Sequence, residues 1–512
     1  MQQEDYRATL LIMVGLAVAS LTGLARQATL AYELGAGRAT DIYLVAFALP
    51  EFAFIAMPIV LVPAFLPLFA RRRIEQGEAS AWRFGRWTAL LLFLALTGLC
   101  VLAALSAPLY LGALAPGFGG IERHQALQML RLMLPAVVLQ GLVALAGSAL
   151  QVYRRFARPA LATAVYNLVF CAGLLWLPLK SATSRAAWGV LLGAVAALLF
   201  QISLLWRHRP SSLAPANQSG GQGSMARDTS QLARLAGSLA VGYTVHHLVL
   251  LVDRAMATSL GAGRAASLNY AYHLALVVGQ ASGLAVSTAL FPRLAEQTAL
   301  RNTSSVRAGL ADALRVVLLI GLPATCALVL LRNPIIELLL QRGAFDSTAV
   351  DAVSQPLIWY SLAVLADALC QPLWRTVYAG HRSWTVLAIN GAQTAVRLLG
   401  NLALVPKLGY SGLALSAAVG LTVQAIVLGW WTRRQIGTFL APSWWSDGGR
   451  IALATAAAAG AVALTSHRLQ STPPILVLSA AGISGGLAYL VVLYVLGLRI
   501  RWHVPAMPTH PQ

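Results

Sequence analysis

The chain has 512 residues, of which 58% are hydrophobic and 11% charged, whereas ordinary globular proteins are about 45–50% apolar and about 25% charged. This composition excludes a soluble fold, which would lack the polar side chains needed to cover its surface. The formal net charge of +20 does not indicate nucleic-acid binding, because the basic residues stand in short groups between apolar runs, as topology signals of membrane proteins do. We predict an all-α polytopic membrane protein.

Apolar runs long enough to cross the hydrocarbon of a bilayer recur along the whole chain. They predict about fourteen transmembrane helices, at 9–33, 41–69, 87–112, 127–151, 159–179, 186–206, 232–259, 265–291, 309–331, 352–374, 383–405, 410–431, 449–466 and 474–498. The apolar segment 334–341 is too short to cross. The first run is longer than the apolar core of a signal peptide and contains Arg26, so we expect no cleavage.

Arginines are unevenly distributed between alternate loops. If the N-terminus is cytoplasmic, the arginine-rich loops, such as 71–86, 154–158 and 433–434, all face the cytoplasm, as the positive-inside rule requires. Both termini are therefore expected on the cytoplasmic side.

A repeat and a linker divide the chain. The segment 34–39 (LGAGRA) recurs letter for letter at 260–265, and Phe65-Leu66-Pro67 is echoed by Leu290-Phe291-Pro292 at nearly the same offset. Six helices separate the copies, so two six-helix lobes should be related as in parallel-repeat transporters. The predicted parts are an N-terminal lobe (1–207), a flexible cytoplasmic linker rich in Ser, Gly and Pro (208–231), a C-terminal lobe (232–434), and a C-terminal helix pair with a tail (435–512).

Motifs of enzymes and cofactor sites do not occur in the sequence. Neither lysine, Lys180 or Lys407, lies in a P-loop, and there is no HExxH motif. The four cysteines lie in apolar stretches without paired spacing, as buried thiols do. We expect no catalytic residue, no metal site, no ATP site and no cofactor, and an intramembrane enzyme is the least favoured alternative.

Ionisable residues within the spans are the candidate site, because each is costly in a membrane unless it faces a cavity or a partner. They are Arg26, Glu51, Asp253, Arg254, His273, Asp367 and Arg397. Some could be paired structural charges, and Asp253 is a candidate to pair with an arginine of its lobe. A cationic set facing a shared cavity would suit a phosphate-bearing substrate, which arginine can bind through two parallel hydrogen bonds.

Four segments carry a resemblance to a known family. They are GLARQATLAYELGAGRATDIYLVAFALPEF (23–52), LVDRAMATSLGAGRAASLNYAYHL (251–274), QRGAFDSTAV (341–350) and LLGNLALVPKLGYSGLALSAAVG (398–420). In matching order over about residues 8–435, the chain resembles the MurJ/MviN lipid II flippases of the multidrug/oligosaccharidyl-lipid/polysaccharide exporter superfamily. The resemblance implies fourteen helices, a V-shaped central cavity, alternating access, and an undecaprenyl-diphosphate-linked sugar as substrate.

The resemblance also implies roles for single residues. Arg26 matches a cavity arginine of helix 1, and Asp41 matches the acidic residue that opens helix 2. Other positions depart from the family pattern: Ser20 and His273 stand where the family has arginines, Glu51 replaces an asparagine, and apolar residues around Phe54 and Ile55 replace an arginine pair. The cavity is therefore expected to be less cationic than in the family.

The sequence thus predicts a multi-pass flippase of the bacterial inner membrane, with a polyprenyl-diphosphate-linked glycan and membrane lipids as its partners. Lipid II is the leading substrate; an exopolysaccharide or O-antigen repeat unit is the alternative. A drug/cation antiporter is less favoured, with Glu51 or Asp367 as the ion carrier. The substrate-binding set is Arg26, Asp41, Glu51, Asp253, Arg254, His273 and Arg397. The coupling ion or membrane potential that would drive transport is left open.

The two LGAGRA turns are the predicted gate. Gly35, Gly37, Gly261 and Gly263 permit tight turns and a close approach of two backbones. The alternative is that the two turns only connect helices and have no role in gating. As gate elements, the two turns should meet in the inward-open state and separate in the outward-open state.

Overall fold

A computed structural model describes residues 2–153, 155, 157–208, 221–289, 303–379 and 383–497. Fifteen helices make up this described part of the chain. They are α1 (Gln2–Leu34), α2 (Arg38–Gln76), α3 (Glu78–Leu114), α4 (Gly120–Val152), α5 (Ala157–Trp176), α6 (Ala182–Trp206), α7 (Gly221–Ser259), α8 (Arg264–Ala289), α9 (Thr303–Leu330), α10 (Arg332–Leu340), α11 (Ser347–Ala379), α12 (Ser383–Leu408), α13 (Ser411–Ile436), α14 (Pro442–Arg468) and α15 (Pro474–Val495). Eleven helices in the described ranges are long and apolar enough to cross a membrane. The predicted all-α polytopic architecture is confirmed.

Two segments test the boundaries expected from the sequence. The short α10 has 9 residues, so the apolar segment 334–341 is a helix that does not span a bilayer, as expected. The predicted flexible linker 208–231 is shortened, because α7 already begins at Gly221. Its first turns are held by contacts with α2: Asp228 pairs with arginines there, and Met225 packs against a cluster containing Phe65 and Phe69. These distant contacts outweigh the local linker composition. The rest of the predicted linker, 209–220, lies outside the described residues.

We call α1–α6 the first lobe and α7–α13 the second lobe. In the first lobe α4 packs against α2, α3 and α6, and α5 packs against α1 and α6. In the second lobe α11 packs in the same way against α8, α9 and α13, and α12 against α7 and α13. The helix pair α14 and α15 lies beside α9 and α10. The shared neighbour pattern supports a repeat, whose origin by duplication remains a prediction.

Small residues allow close helix contacts, as is usual in membranes. A Cβ at Gly193 of α6 would lie 2.9 Å from the carbonyl oxygen of Tyr166 in α5. The matching pair in the second lobe shows the same feature, since a Cβ at Gly412 of α13 would lie 2.8 Å from the Leu404 backbone of α12. Helices of each lobe therefore pack backbone to backbone, while contacts of α1 and α2 with α7 and α8 form most of the interface between lobes.

Candidate functional site

A small pocket lies between the lobes, where α1 and α2 face α8. It is lined by Arg26, Gln27, Leu30, Tyr43, Leu44, Phe47, Glu51, Phe170, Asn269 and His273. Its cavity volume is only about 10 Å³, far below the range of about 300–1,000 Å³ common for ligand pockets. Three of the predicted site residues thus meet in one pocket, which is nearly closed in this conformation.

Arg26 of α1 is surrounded by aromatic rings. Its guanidinium carbon lies 5.8 Å from the ring centroids of Phe47 and Phe170 and 6.0 Å from that of Tyr166. Its buried Nε has no hydrogen-bond partner among the described residues. Cation–π attraction can hold such a cation without neutralising it. Arg26 therefore carries a positive charge that is available to an anionic ligand.

Glu51 of α2 and Arg254 of α7 form an ion pair between the two lobes. Nη2 of Arg254 donates to the Glu51 carboxylate, and Nη1 donates to the Leu44 carbonyl oxygen at 3.2 Å. The two side chains are only 15% and 10% exposed. This contact joins residues 203 positions apart, and the sequence shows no sign of the pairing.

His273 and Asn269 of α8 complete the pocket wall. The His273 ring nitrogen Nδ1 lies 2.9 Å from the Asn269 carbonyl oxygen. The Asn269 amide donates to Oε1 of Gln27 in α1 at 3.4 Å. These polar groups provide hydrogen-bonding capacity beside the two arginines.

Asp253 and Arg397 lie outside this pocket and form an ion pair within the second lobe. The amide of Asn401 also donates to the Asp253 carboxylate at 2.6 Å. The Asp253 side chain is 5% exposed. The partner anticipated for Asp253 is thus present, and the arrangement suits a structural link between α7 and α12 better than direct contact with a ligand.

Asp41 lies in the first turn of α2, near the LGAGRA turns, and is fully buried. Its carboxylate accepts hydrogen bonds from the backbone N–H groups of Gly263 (2.6 Å) and Ala266 (2.8 Å). These N–H groups belong to the start of α8, where a carboxylate satisfies unpaired donors and complements the helix dipole. Asp41 therefore closes one end of the lobe interface rather than lining the pocket.

The two LGAGRA turns touch each other. Gly263 has φ of +78°, and a Cβ there would lie 2.2 Å from the Ala36 carbonyl oxygen. Gly35 has φ of +64°, and a Cβ there would lie 2.4 Å from the Ala344 carbonyl oxygen. Gly261 has φ of +125° without a close neighbour from the other turn, and Gly37 has an extended backbone and open space around it. The close approach between the two turns thus depends on Gly263 alone among the four predicted glycines, whereas Gly35 lets the first turn meet Ala344.

The segment 341–350 packs against the first turn, a placement that sequence reasoning missed. The Ala344 N–H donates to the Tyr32 carbonyl oxygen at 2.8 Å. Phe345 is buried and meets the ring of Tyr270 edge-on at 5.5 Å, while the Tyr270 hydroxyl donates to the Gly35 carbonyl oxygen at 3.0 Å. The RGAF motif at 342–345 distinguishes this segment in the sequence. It does not reveal which residues the segment contacts.

A second inter-lobe contact lies near the opposite end of α2 and was also missed. Arg71 and Arg72 each donate to the Asp228 carboxylate of α7 at 2.5 Å. Asp228 is 5% exposed, and the guanidinium of Arg72 also lies 5.0 Å from the Phe84 ring centroid. We call Arg71, Arg72 and Asp228 the arginine clasp. Contacts between the lobes therefore lie at both ends of α2, with the pocket between them.

Comparison with protein families gives the context for this arrangement. The family model described as "Lipid II flippase MurJ" matches residues 30–481, a range that contains both turns, the Glu51–Arg254 pair and the arginine clasp. The chain belongs to the MurJ family. Its family is one of transporters, not of enzymes.

Relatives of similar sequence agree with this membership, and solved structures share the fold. The lipid II flippase MurJ of Burkholderia cenocepacia is 28% identical over 428 residues, covering 83% of each chain. A probable lipid II flippase MurJ of Rhizobium meliloti is 29% identical over 424 residues, covering 80% of this chain and 77% of the relative. A structure of lipid II flippase MurJ in an inward closed conformation aligns with a TM-score of 0.79 at 20% identity, covering 95% of this chain and 98% of the other. An inward-facing MATE multidrug transporter aligns with a TM-score of 0.69 at 16% identity, covering 84% and 98%. MurJ and MATE proteins thus share this fold.

Proposed function

We propose that this protein moves lipid II, an undecaprenyl-diphosphate-linked glycan precursor, across the bacterial inner membrane by alternating access. The observation that carries the proposal is the MurJ family match over residues 30–481, which spans the pocket and both inter-lobe contacts. The chemistry of the pocket supports it, because Arg26 is a cation whose buried Nε has no hydrogen-bond partner among the described residues, and arginine can bind a diphosphate.

Alternating access is supported by the position of the contacts. The LGAGRA turns and Asp41 join the lobes at one end, and the arginine clasp joins them at the other. A transporter with a central site needs a gate on each side of that site. We assign the turns to the periplasmic gate and the clasp to the cytoplasmic gate, with both termini cytoplasmic, because the arginine-rich loops then follow the positive-inside rule. The sequence has no ATP-binding motif, so we propose an ion gradient or the membrane potential as the energy source.

The proposal is tested by replacing the essential flippase in a bacterial strain. Cells depleted of their own lipid II flippase should grow when this protein is expressed, and purified protein in liposomes should move labelled lipid II between leaflets. A protein that fails both assays but restores export of an O-antigen repeat unit in a flippase-deficient strain would contradict the proposal and would support a polysaccharide substrate.

A further inference from the structure

Glu51 holds a position that is unusual for a carboxylate in an anion-binding cavity. It lines the same pocket as Arg26 and His273, and it pairs with Arg254 from the opposite lobe. Other carboxylates of the described spans are engaged elsewhere: Asp253 with Arg397 and Asn401, and Asp367 with Gln371. Glu51 is thus the acidic residue that directly reduces the positive charge of this pocket.

Arg254 already has anionic and polar partners in the closed conformation. One of its terminal nitrogens donates to Glu51 and the other to the Leu44 carbonyl oxygen. A guanidinium presents the same planar pair of N–H groups to a carboxylate and to a phosphate. A phosphate group entering the pocket would therefore compete with Glu51 for the same donors.

We infer that Glu51 is an internal competitor for the phosphate site: its carboxylate occupies Arg254 in the empty transporter, and a diphosphate group of the substrate replaces it. The inference rests on the proposed function for the identity of the substrate. Glu51 belongs to α2 and Arg254 to α7, so this exchange also removes an ion pair between the lobes. Substrate binding and release of a lobe contact become one event, in which Arg26 supplies the first positive charge and Arg254 the second.

A permanently structural Glu51–Arg254 pair predicts the opposite behaviour. If the pair only holds the lobes together, removing the carboxylate weakens the protein and does not improve ligand binding. If Glu51 competes with the ligand, removing the carboxylate frees Arg254 and raises the apparent affinity, since that affinity is scaled by the fraction of sites in the competent state.

The experiment measures binding of farnesyl diphosphate, a water-soluble prenyl diphosphate, to the purified full-length protein by isothermal titration calorimetry. We expect Glu51→Gln to bind about tenfold more tightly than the wild type, because glutamine keeps the size and hydrogen-bonding capacity of the side chain without its charge. Glu51→Asp retains the charge and should bind much like the wild type. The matched control is Glu33→Gln, which removes the carboxylate of a similarly buried pair with Arg185 inside the first lobe and should not change the affinity.

Arg254→Gln, alone and combined with Glu51→Gln, completes a double-mutant cycle for this ion pair. It should weaken binding, and adding Glu51→Gln to it should give no gain, since there is no guanidinium left to release. Unchanged or weaker binding by Glu51→Gln, a gain that persists without Arg254, or an equal gain in Glu33→Gln would overturn the inference, as would the absence of binding in every variant. Flipping of lipid II by the wild type in liposomes is scored separately: its failure rejects the proposed function, whereas the binding series decides the competition at Arg254.

Discussion

Asp253 and Arg254 are neighbours in α7, yet each pairs with a different helix. Asp253 binds Arg397 of α12 within the second lobe, while Arg254 binds Glu51 of α2 across the lobe interface. Successive residues of an α-helix point about 100° apart, so a single turn of α7 can serve both purposes. One pair stabilises a lobe, and the other joins two bodies that must separate.

The pair within the lobe should matter mainly for stability. Arg397→Gln leaves the buried Asp253 carboxylate without its cation, which typically costs about 3–5 kcal/mol. We expect a clear fall in the thermal unfolding temperature of the purified protein in detergent. The double variant Asp253→Asn/Arg397→Gln removes both charges and should recover most of the loss. A double variant no more stable than the single one would show that the pair is not a compensated unit.

Arg26 should matter for transport. Arg26→Ala removes the cation from the aromatic pocket, and loss of a buried charged contact costs roughly 2–5 kcal/mol. We expect lipid II flipping in liposomes to fall by about 30-fold or more, with a near-normal amount of protein in the membrane. Arg26→Lys should recover only part of the activity, since lysine lacks the planar pair of donors. Normal flipping by Arg26→Ala would contradict a role for this cation in the cavity.

At the scale of elements, the LGAGRA turns offer a direct test of gating. A double variant, Ala36→Cys with Ala262→Cys, should form a disulfide under oxidant, because the turns are in contact in this conformation and a disulfide joins residues whose Cα atoms lie within about 7 Å. The cross-link should stop flipping, and a reductant should restore it. Each single variant should stay active under the same oxidant. Efficient cross-linking with undiminished flipping would show that the turns do not separate during transport.

The arginine clasp should control access from the other end. Asp228→Asn removes the carboxylate that binds both Arg71 and Arg72, so α2 and α7 should separate more often near this end. A cysteine at Ala236, which packs against the apolar cluster beside the clasp, should then react with a maleimide several-fold faster. The matched control is Asp447→Asn, which also removes a carboxylate held by two arginines, Arg315 and Arg450, but on α14, which packs against α9 and α15. Equal labelling rates in the wild type and in Asp228→Asn would show that the clasp does not hold the lobes together.

The sequence predicted elements better than it predicted contacts between them. The helices could be located because the bilayer thickness requires a long apolar run for each crossing, and the turns because six identical letters recur at 34–39 and 260–265. The partner of Glu51 could not be read from the sequence, because the two lobes meet there through residues 203 positions apart. The start of α7 was missed for a similar reason: the stability of that segment comes from Arg71 and Arg72, not from its own composition.

At the scale of the whole molecule, orientation in the membrane is the prediction to test first. In a variant lacking the four native cysteines, a cysteine replacing the exposed Glu75 should be shielded from an impermeant maleimide in intact spheroplasts, and one replacing the exposed Arg342 should react. This follows from the positive-inside rule. Disruption of the membrane should make both cysteines reactive and serves as the control. The reverse pattern in intact spheroplasts would invert the assignment of the two gates.

Helix α2 carries the contacts of both proposed gates and one wall of the pocket between them. Asp41, Glu51 and the Arg71–Arg72 pair all lie on α2, and the 30 residues from Asp41 to Arg71 span about 45 Å at 1.5 Å per residue. Its four prolines, Pro50, Pro58, Pro63 and Pro67, all lie between the turn-side contact at Asp41 and the clasp, and each removes one backbone hydrogen bond and favours bending there. The proline-free segment before Pro50 can therefore stay docked on α8 while the far end swings. A rigid, straight helix would move both gates at the same time and would open a continuous leak across the membrane. A helix that bends at its prolines allows one gate to open while the other stays closed.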